Sequence, residues 1–148
     1  MRIINSFAGD FKFLSNFSPH SFVDKNGLFW KTSEHFYQAA KTDNLRQKFV
    51  ISECNTPRRA KKIGQIVEMK KNWNDIKVSV MWNAIKMKFN QNPEIKKYLK
   101  STFDFKLVEG NYWHDNFWGN CFCDKCKNKE GKNYLGVLLM MLRDEYLE

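Results

Sequence analysis

Two carboxylates that could do chemistry stand among aromatic residues, far apart in the sequence. Glu34 belongs to TSEHFYQAAK, residues 32–41, and Asp115 belongs to NYWHDNFWGN, residues 111–120. A pair of carboxylates can divide general acid and base work, and aromatic rings can stack on a base or a sugar. Each acid also has a structural explanation, because Glu34 suits the positive end of a helix and Asp115 suits a turn.

A second aromatic segment, FLSNFSPHSF, precedes Glu34 in the chain. Its polar residues between aromatic rings are typical of a concave wall that binds a flat ligand. The alternative is a loop fixed by the buried side chains of Phe13, Phe17 and Phe22. Composition alone favours this structural alternative.

Three cysteines, Cys121, Cys123 and Cys126, form a C-x-C-x-x-C pattern that resembles half of a zinc site. A tetrahedral structural site needs a fourth ligand, for which Cys54, His114 and His35 are the candidates. A short loop can also carry clustered cysteines without a metal, so the sequence leaves the metal content open. No organic cofactor is expected, because the chain has no Walker A, G-x-G-x-x-G or H-E-x-x-H pattern.

Positive charge is concentrated in the middle of the chain. Residues 46–100 contain 14 Lys and Arg against 4 Asp and Glu, whereas the whole chain has a net charge of +9. The block TPRRAKKIG, with Arg58 and Arg59, is the densest part. This distribution indicates either a phosphate-bearing partner or an ordinary solvated Lys-rich surface.

The remaining bulk features predict a cytoplasmic protein that has no membrane partner. The first fifteen residues do not have the pattern of a signal peptide, and no apolar run approaches the roughly 20 residues of a membrane span. The length of 148 residues fits one domain. The oligomeric state is left open by the sequence.

Periodicity and capping signals predict an α+β fold, mostly α-helical, with a short N-terminal β-hairpin. IINSF and SFVDKNGLFW indicate short strands around an Asn26-Gly27 turn. Helices are predicted to begin near an N-cap at Ser33, at Asn44, after Thr56 and at Pro93. The clearest helices are those over residues 74–90 and 133–146, with apolar stripes at helical spacing, and Asn133 is predicted to cap the second. KLVEG, residues 106–110, is a candidate strand.

Taken in order, these segments resemble the NADAR family, which includes the YbiA-like N-glycosidases. The similarity rests on SNF, SEHFYQ-A-K, RRAKKIG, KNW, KLVE, DNFWG and the closing GKNYLGVLLMMLR, and it covers nearly the whole chain. It implies a single domain over residues 1–148. The segment after DNFWG departs from the family pattern, because Asn120-Cys121 and the cysteine-bearing insert follow it.

The resemblance implies an enzyme that hydrolyses an N-glycosidic bond at ribose. Its substrate would be an ADP-ribosylated or phosphoribosylated nucleobase, such as ADP-ribosylated guanine in DNA or an aminopyrimidine ribotide of riboflavin synthesis. DNA is therefore a candidate partner. Glu34 and Asp115 would be the catalytic pair, with either able to act as the base. The residues expected to bind the substrate are Asn16, Phe17, Lys41, Arg59, Trp73, Trp118 and Asn133.

Two other classes of protein account for parts of the same pattern. A binding module for ADP-ribose or nucleic acid, without catalysis, would keep the aromatic pocket and the basic surface. Such a module would have no need for Glu34 and Asp115 together. A zinc-stabilised interaction protein would account for the cysteines alone.

Overall fold

The computed structural model describes residues 1–148 and confirms the predicted α+β class, with helices predominating. Six α-helices are joined by short strands and one 3-10 helix at Gly9–Leu14. The α-helices are α1 Ser33–Ala39, α2 Leu45–Glu53, α3 Pro57–Gly64, α4 Trp73–Asn90, α5 Pro93–Ser101 and α6 Tyr134–Leu147. The strands are β1 Arg2–Ile4, β2 Phe22–Val23, β3 Phe29–Trp30, β4 Phe105–Leu107, β5 Gly110–Asn111 and β6 Asn120–Cys121.

Side-chain caps fix the starts of the first three helices. The hydroxyls of Thr32 and Thr56 accept from the backbone N–H three residues later, and the Asn44 amide oxygen does the same. Each cap satisfies one of the N–H groups that a helix leaves unpaired at its start. The N-cap of α1 is therefore Thr32, and the prediction of Ser33 was wrong by one residue because the extended backbone at Thr32 carries the capping hydroxyl.

The predicted hairpin is confirmed, and it lies entirely within SFVDKNGLFW. Strands β2 and β3 pair antiparallel, with Phe22 opposite Trp30. Asp24 closes the turn, because its Oδ1 accepts the N–H groups of Asn26 and Leu28, while Gly27 takes a left-handed φ of 83°. Strand β1, from the IINSF segment, instead pairs in parallel with β4.

The chain forms two compact units, which we call the helical unit, Asn16–Pro93, and the mixed unit, Met1–Ser15 with Glu94–Glu148. In the helical unit, α1 contacts α2, α3 and α4. Its core contains the buried side chains of Phe22, Trp30, Ala39, Ile51, Cys54 and Ala60. The single domain predicted over residues 1–148 stays a prediction.

In the mixed unit, α6 packs against β4. The spacing predicts an inward face of α6 made of Leu135, Leu138, Leu139, Leu142 and Tyr146. The four leucines are buried, which confirms their part, whereas Tyr146 is half-buried. The guanidinium of buried Arg143 donates to the carbonyl oxygens of Thr102 and Phe105 at 2.6 and 2.8 Å. This cation therefore satisfies the backbone where α5 leads into β4. None of the helices combines the length and the apolarity that a membrane crossing requires.

One lysine of α4 lies inside the helical unit. Lys88 is 1% exposed, and its ammonium lies 5.1 Å from the centroid of the Phe89 ring. Burial lowers the pKa of Lys88 from 10.5 to about 7, because the charged form loses its hydration. The folded protein therefore binds fewer protons at this residue than the unfolded chain between those two pH values.

This difference predicts that the free energy of unfolding rises with pH between about 7 and 10.5. The sign is positive because the unfolded state carries the extra proton in this window. The contribution of one such group is at most about 1.4 kcal/mol per pH unit. Urea unfolding at pH 7, 8 and 9 should show a rise that is reduced in Lys88→Met. Lys86→Met, on a half-exposed lysine of the same helix, is the matched control and should keep the wild-type slope. An unchanged slope in Lys88→Met would contradict the assignment.

Candidate active site

Glu34 lies in the first turn of α1, where one hydrogen bond holds its backbone and another holds its side chain. The residue is 7% exposed. Its backbone N–H donates to the carbonyl oxygen of Asn16 at 3.2 Å, and its Oε2 accepts from Gln38 Nε2 at 2.5 Å. Residues four apart share a helix face, so Gln38 reaches the carboxylate from the next turn. A carboxylate in this setting has a fixed position and a fixed orientation.

Asn16 connects the aromatic loop to this helix start. Its Oδ1 accepts from the Ser33 hydroxyl at 2.8 Å, and its Nδ2 donates to Met81 Sδ at 3.3 Å. Asn16 is itself buried, and the neighbouring Phe17 is half-buried. The structure therefore brings Asn16, Ser33 and Glu34 together. Their separate motifs, SNF and SEH, gave the only signal of this contact.

Gln38 is a residue of the site that the sequence analysis did not single out. It is 3% exposed, and its Oε1 has no hydrogen-bond partner within the protein. That oxygen lies against Gly64 of α3, where an added Cβ would overlap it. The absence of a side chain at Gly64 therefore leaves room for Gln38 to face Glu34. The spacing of four residues from Glu34 was the available signal.

His35 follows Glu34 but has a structural role. It is fully buried, its Nε2 lies 2.9 Å from the Cys54 carbonyl oxygen, and its Nδ1 lies 2.8 Å from the Thr32 hydroxyl. A carbonyl only accepts, so Nε2 carries the proton. Burial lowers the pKa of His35, although the bond to Cys54 opposes this effect and Lys31 adds to it. The imidazole is thus kept neutral as a link between α1 and the end of α2.

Cations surround the end of α1. Burial lowers the pKa of Lys41; the negative charge of Glu34 opposes this shift, while Lys61 and Lys77 add to it. These effects mean that Lys41 lies within electrostatic range of the carboxylate and of two further ammonium groups. Lys41 also lies 5.9 Å from the centroid of the Tyr37 ring.

Trp73 and Arg59, which were also predicted to bind the substrate, lie in the helical unit and differ in exposure. Trp73, the first residue of α4, is 4% exposed and packs edge-on against Tyr37 at 5.2 Å between centroids. Arg59 is exposed in the first turn of α3, and its N–H donates to the Thr56 cap. The proposed stacking of Trp73 on a base and the proposed phosphate contact of Arg59 both stay predictions.

Asp115 organises its own loop in the mixed unit. Its Oδ1 accepts from the N–H groups of Phe117 and Trp118 at 3.1 and 2.9 Å. The Asn111 side chain holds the backbone of Asp115, accepting from its N–H and donating to its carbonyl oxygen. The turn role considered for Asp115 is therefore present in the structure. Both of these turn bonds use Oδ1, and neither uses Oδ2.

Trp118 and Asn133 occupy different settings in this unit. The half-buried Trp118 ring packs edge-on against Phe117 at 4.8 Å between centroids and lies 6.4 Å from Tyr134. Asn133 is 8% exposed, has a left-handed φ of 53° and makes no side-chain cap to α6. Its amide instead accepts from the Glu109 N–H and donates to the Leu107 carbonyl. Asn133 is thus the N-cap residue of α6, as predicted, but its side chain makes no capping bond because these backbone groups take both ends of the amide.

The predicted residues thus fall into two groups. Asn16, Phe17, Glu34, Lys41, Arg59 and Trp73 belong to the helical unit, and Asp115, Trp118 and Asn133 belong to the mixed unit. The convergence of Glu34 and Asp115 on one cavity stays a prediction. Among the candidates for a fourth metal ligand, His114 lies with the three clustered cysteines, whereas both ring nitrogens of His35 have other partners.

The contact between Gln38 and Gly64 predicts strong coupling between two substitutions. Gly64→Ala should lower the free energy of unfolding by about 1–3 kcal/mol, because the new methyl group displaces the buried amide. In a Gln38→Ala background the two closest atoms are gone, although the Cβ of residue 38 stays 3.1 Å from the new methyl group, so the same change should cost clearly less than in the wild type. Urea unfolding of the four proteins measures this. If the two substitutions change the free energy of unfolding additively, to within about 0.5 kcal/mol, the contact between Gln38 and residue 64 is contradicted.

Comparison with known proteins places the chain in a family. The family model that describes the NADAR domain matches residues 6–147 of the sequence. N-glycosidase YbiA of Shigella flexneri is 35% identical over 147 residues, covering 97% of this chain and 88% of that protein. The riboflavin biosynthesis protein PYRR of Zea mays is 40% identical over 149 residues, covering 90% of this chain but 23% of that longer protein.

A solved structure agrees with these matches. The NMR structure of the Escherichia coli protein YbiA matches with a TM-score of 0.83 and 35% identity, covering 99% of this chain and 85% of that one. The resemblance found in the motifs is thereby confirmed over the length of the chain. The chain belongs to the NADAR family.

Proposed function

We propose that this chain is an N-glycosidase that hydrolyses the bond between a ribose and a nucleobase. The observation that carries this proposal is the near end-to-end match to relatives named N-glycosidase, at 35% identity over 97% of the chain. The buried Glu34, whose carboxylate accepts from the Gln38 amide, supports it from the structure. The proposed substrate class is a base joined to ADP-ribose or to phosphoribose.

The reaction exchanges one bond for another at the anomeric carbon. The C1′–N bond breaks and its electron pair goes to the base nitrogen, which leaves an oxocarbenium-like ribose. Water then bonds to C1′ and loses a proton, and the base nitrogen gains one. The products are a ribose with a hydroxyl at C1′ and the unmodified base, which is free from a ribotide and remains in the strand from DNA. A carboxylate near C1′ stabilises the positive charge and can accept the proton from water.

Glu34 is assigned to the reacting sugar, and Asp115 to a ribose hydroxyl or the attacking water. The amide of Gln38 fixes the direction of the Glu34 carboxylate without adding a positive charge to it. Asp115 uses Oδ1 to hold its own loop. A group already committed to two backbone N–H bonds suits a positioning role better than that of a mobile base.

The phosphates of the substrate are assigned to the basic side of the helical unit. Lys41 lies within electrostatic range of Lys61, of Lys77 and of Glu34. Exposed Arg58 and Arg59 start α3. Guanidinium groups bind phosphate oxygens in pairs, whereas ammonium groups act as point charges.

Two substrate classes fit this assignment. ADP-ribosylated guanine in DNA carries several phosphates and would engage the positive excess of residues 46–100. An aminopyrimidine ribotide carries one phosphate, and the name of the maize relative, a riboflavin biosynthesis protein, supports it. The charge distribution favours the first.

Replacing Glu34 with Gln should lower kcat by about 10²–10⁴ while leaving substrate binding largely intact. The amide keeps an oxygen that accepts from Gln38, so the fold is retained while the negative charge is lost. The assay follows by chromatography the release of ADP-ribose from the DNA substrate and, separately, of free base from the ribotide. Glu53→Gln, an exposed acid at the end of α2, is the matched control and should retain full activity.

The double variant Glu34→Gln, Asp115→Asn tests whether the two acids act on one reaction centre. Groups that act as a unit give a double variant little worse than the poorer single variant. If instead the loss of kcat in the double variant equals the product of the losses in the two single variants, the two acids have independent roles. Tight binding of both substrates by the wild type, with no ADP-ribose released from the DNA and no base released from the ribotide, would replace the proposed activity with a binding module.

Replacing Arg58 and Arg59 together with Ala should act on the DNA substrate more than on the ribotide. If both arginines contact phosphates, the slope of log kcat/KM against log salt concentration should become shallower by about 2, which is roughly one for each lost contact. The control pair, Lys25→Ala with Lys106→Ala, removes the same charge from exposed positions outside residues 46–100. If the control pair lowers kcat/KM on the DNA substrate as much as the arginine pair does, only the net charge of the protein affects the reaction.

A further inference from the structure

Four potential metal ligands converge in the mixed unit, in the segment that departs from the family pattern. The Sγ atoms of Cys121, Cys123 and Cys126 and one imidazole nitrogen of His114 all lie within 4.8 Å of one another. His114 Nδ1 lies 3.4 Å from the sulfur of Cys123, 3.4 Å from that of Cys126 and 4.0 Å from that of Cys121. A single imidazole nitrogen thus faces three thiols.

These separations fit one tetrahedral ion. With Zn–S of about 2.3 Å and Zn–N of about 2.0–2.1 Å, tetrahedral angles place the nitrogen about 3.6 Å from each sulfur. The three observed distances lie on both sides of that value. A disulfide, by contrast, would use two of the thiols and leave the third thiol and the imidazole without a common partner. All four cysteines of the chain are free thiols.

The backbone is shaped to bring the four groups together. His114 has a φ of 69°, which a non-glycine residue seldom adopts. Parallel pairing of β5 with β6 sets Asn111 beside Cys121 and so returns the chain to His114. The His114 N–H also donates to Cys121 Sγ at 3.3 Å. Cys126 closes a turn on Cys123 through an N–H to carbonyl bond of 3.0 Å.

We propose that these four residues bind one structural zinc ion. Three thiolates and one imidazole complete a tetrahedral shell, so no position is left for a reacting water. The ion would act on the fold by fixing the loop of residues 111–121, in which Asp115 directly follows the ligand His114. The site would thus position one of the two carboxylates without touching the substrate.

Elemental analysis of the purified full chain, free of any affinity tag, tests the proposal directly. We expect about one zinc per chain, as one four-ligand site requires. Cys126→Ser should retain less than about a tenth of that amount, because three ligands remain. Cys54→Ser is the matched control, since this buried cysteine lies in the helical unit and donates to the Val50 carbonyl. It should retain the wild-type zinc content.

Two further measurements keep the test decisive if a ligand variant fails to fold. His114→Cys supplies a fourth thiolate and should retain zinc, which a purely structural role for the imidazole would not predict. Wild-type protein stripped by a chelator and given cobalt should show the visible absorption of tetrahedral cobalt bound to thiolates. Wild-type protein that binds no zinc after reconstitution, zinc retained by Cys126→Ser, iron in place of zinc, or a disulfide within residues 121–126 by mass would each overturn the proposal.

Discussion

The hydrogen bonds between Asn16 and the first turn of α1 are the contact on which the candidate site depends. A helix start leaves several N–H groups unpaired, and here Thr32 takes that of His35 while the Asn16 carbonyl takes that of Glu34. The Asn16 side chain adds a bond from the Ser33 hydroxyl. Because these groups are buried, loss of one partner leaves an unsatisfied polar group, which makes this geometry costly to change. The aromatic loop and the carboxylate are therefore placed by the same bonds.

Asparagine side chains play the corresponding part in the mixed unit, where the backbone is irregular. Buried N–H and C=O groups outside helices and sheets need other partners. Asn111 serves Trp113 and Asp115, Asn116 accepts from Cys121, and Asn133 bridges Glu109 and Leu107. The density of amides in NYWHDNFWGN thus has a structural reason. It also explains how a loop with short strands can hold Asp115 and His114 in definite positions.

Features set by local chemistry were predictable, whereas those set by distant partners were not. The starts of α2 and α3 follow from Asn44, Thr56 and Pro57, since capping and proline act within one turn. The pairing of β1 with β4 joins residues about a hundred positions apart, and two three-residue strands carry no signal of their partner. Lys88 could not be distinguished from exposed lysines, because its burial is a property of the packed unit. Gln38 was visible as a neighbour of Glu34, but the space at Gly64 that admits it was not.

The surroundings of Glu34 combine two opposed demands. Burial disfavours a charged carboxylate, while hydrogen bonds to it and nearby cations favour it. The Gln38 amide donates to Oε2, and the charge of Lys41 interacts with that of Glu34. The amide orients Oε2 through a hydrogen bond and adds no charge of its own. A carboxylate that faces a developing cation on ribose has to be held in a fixed direction. The bonds that complete the helix start also fix the direction of this carboxylate, so the proposed chemistry would use a group that the fold already holds in place.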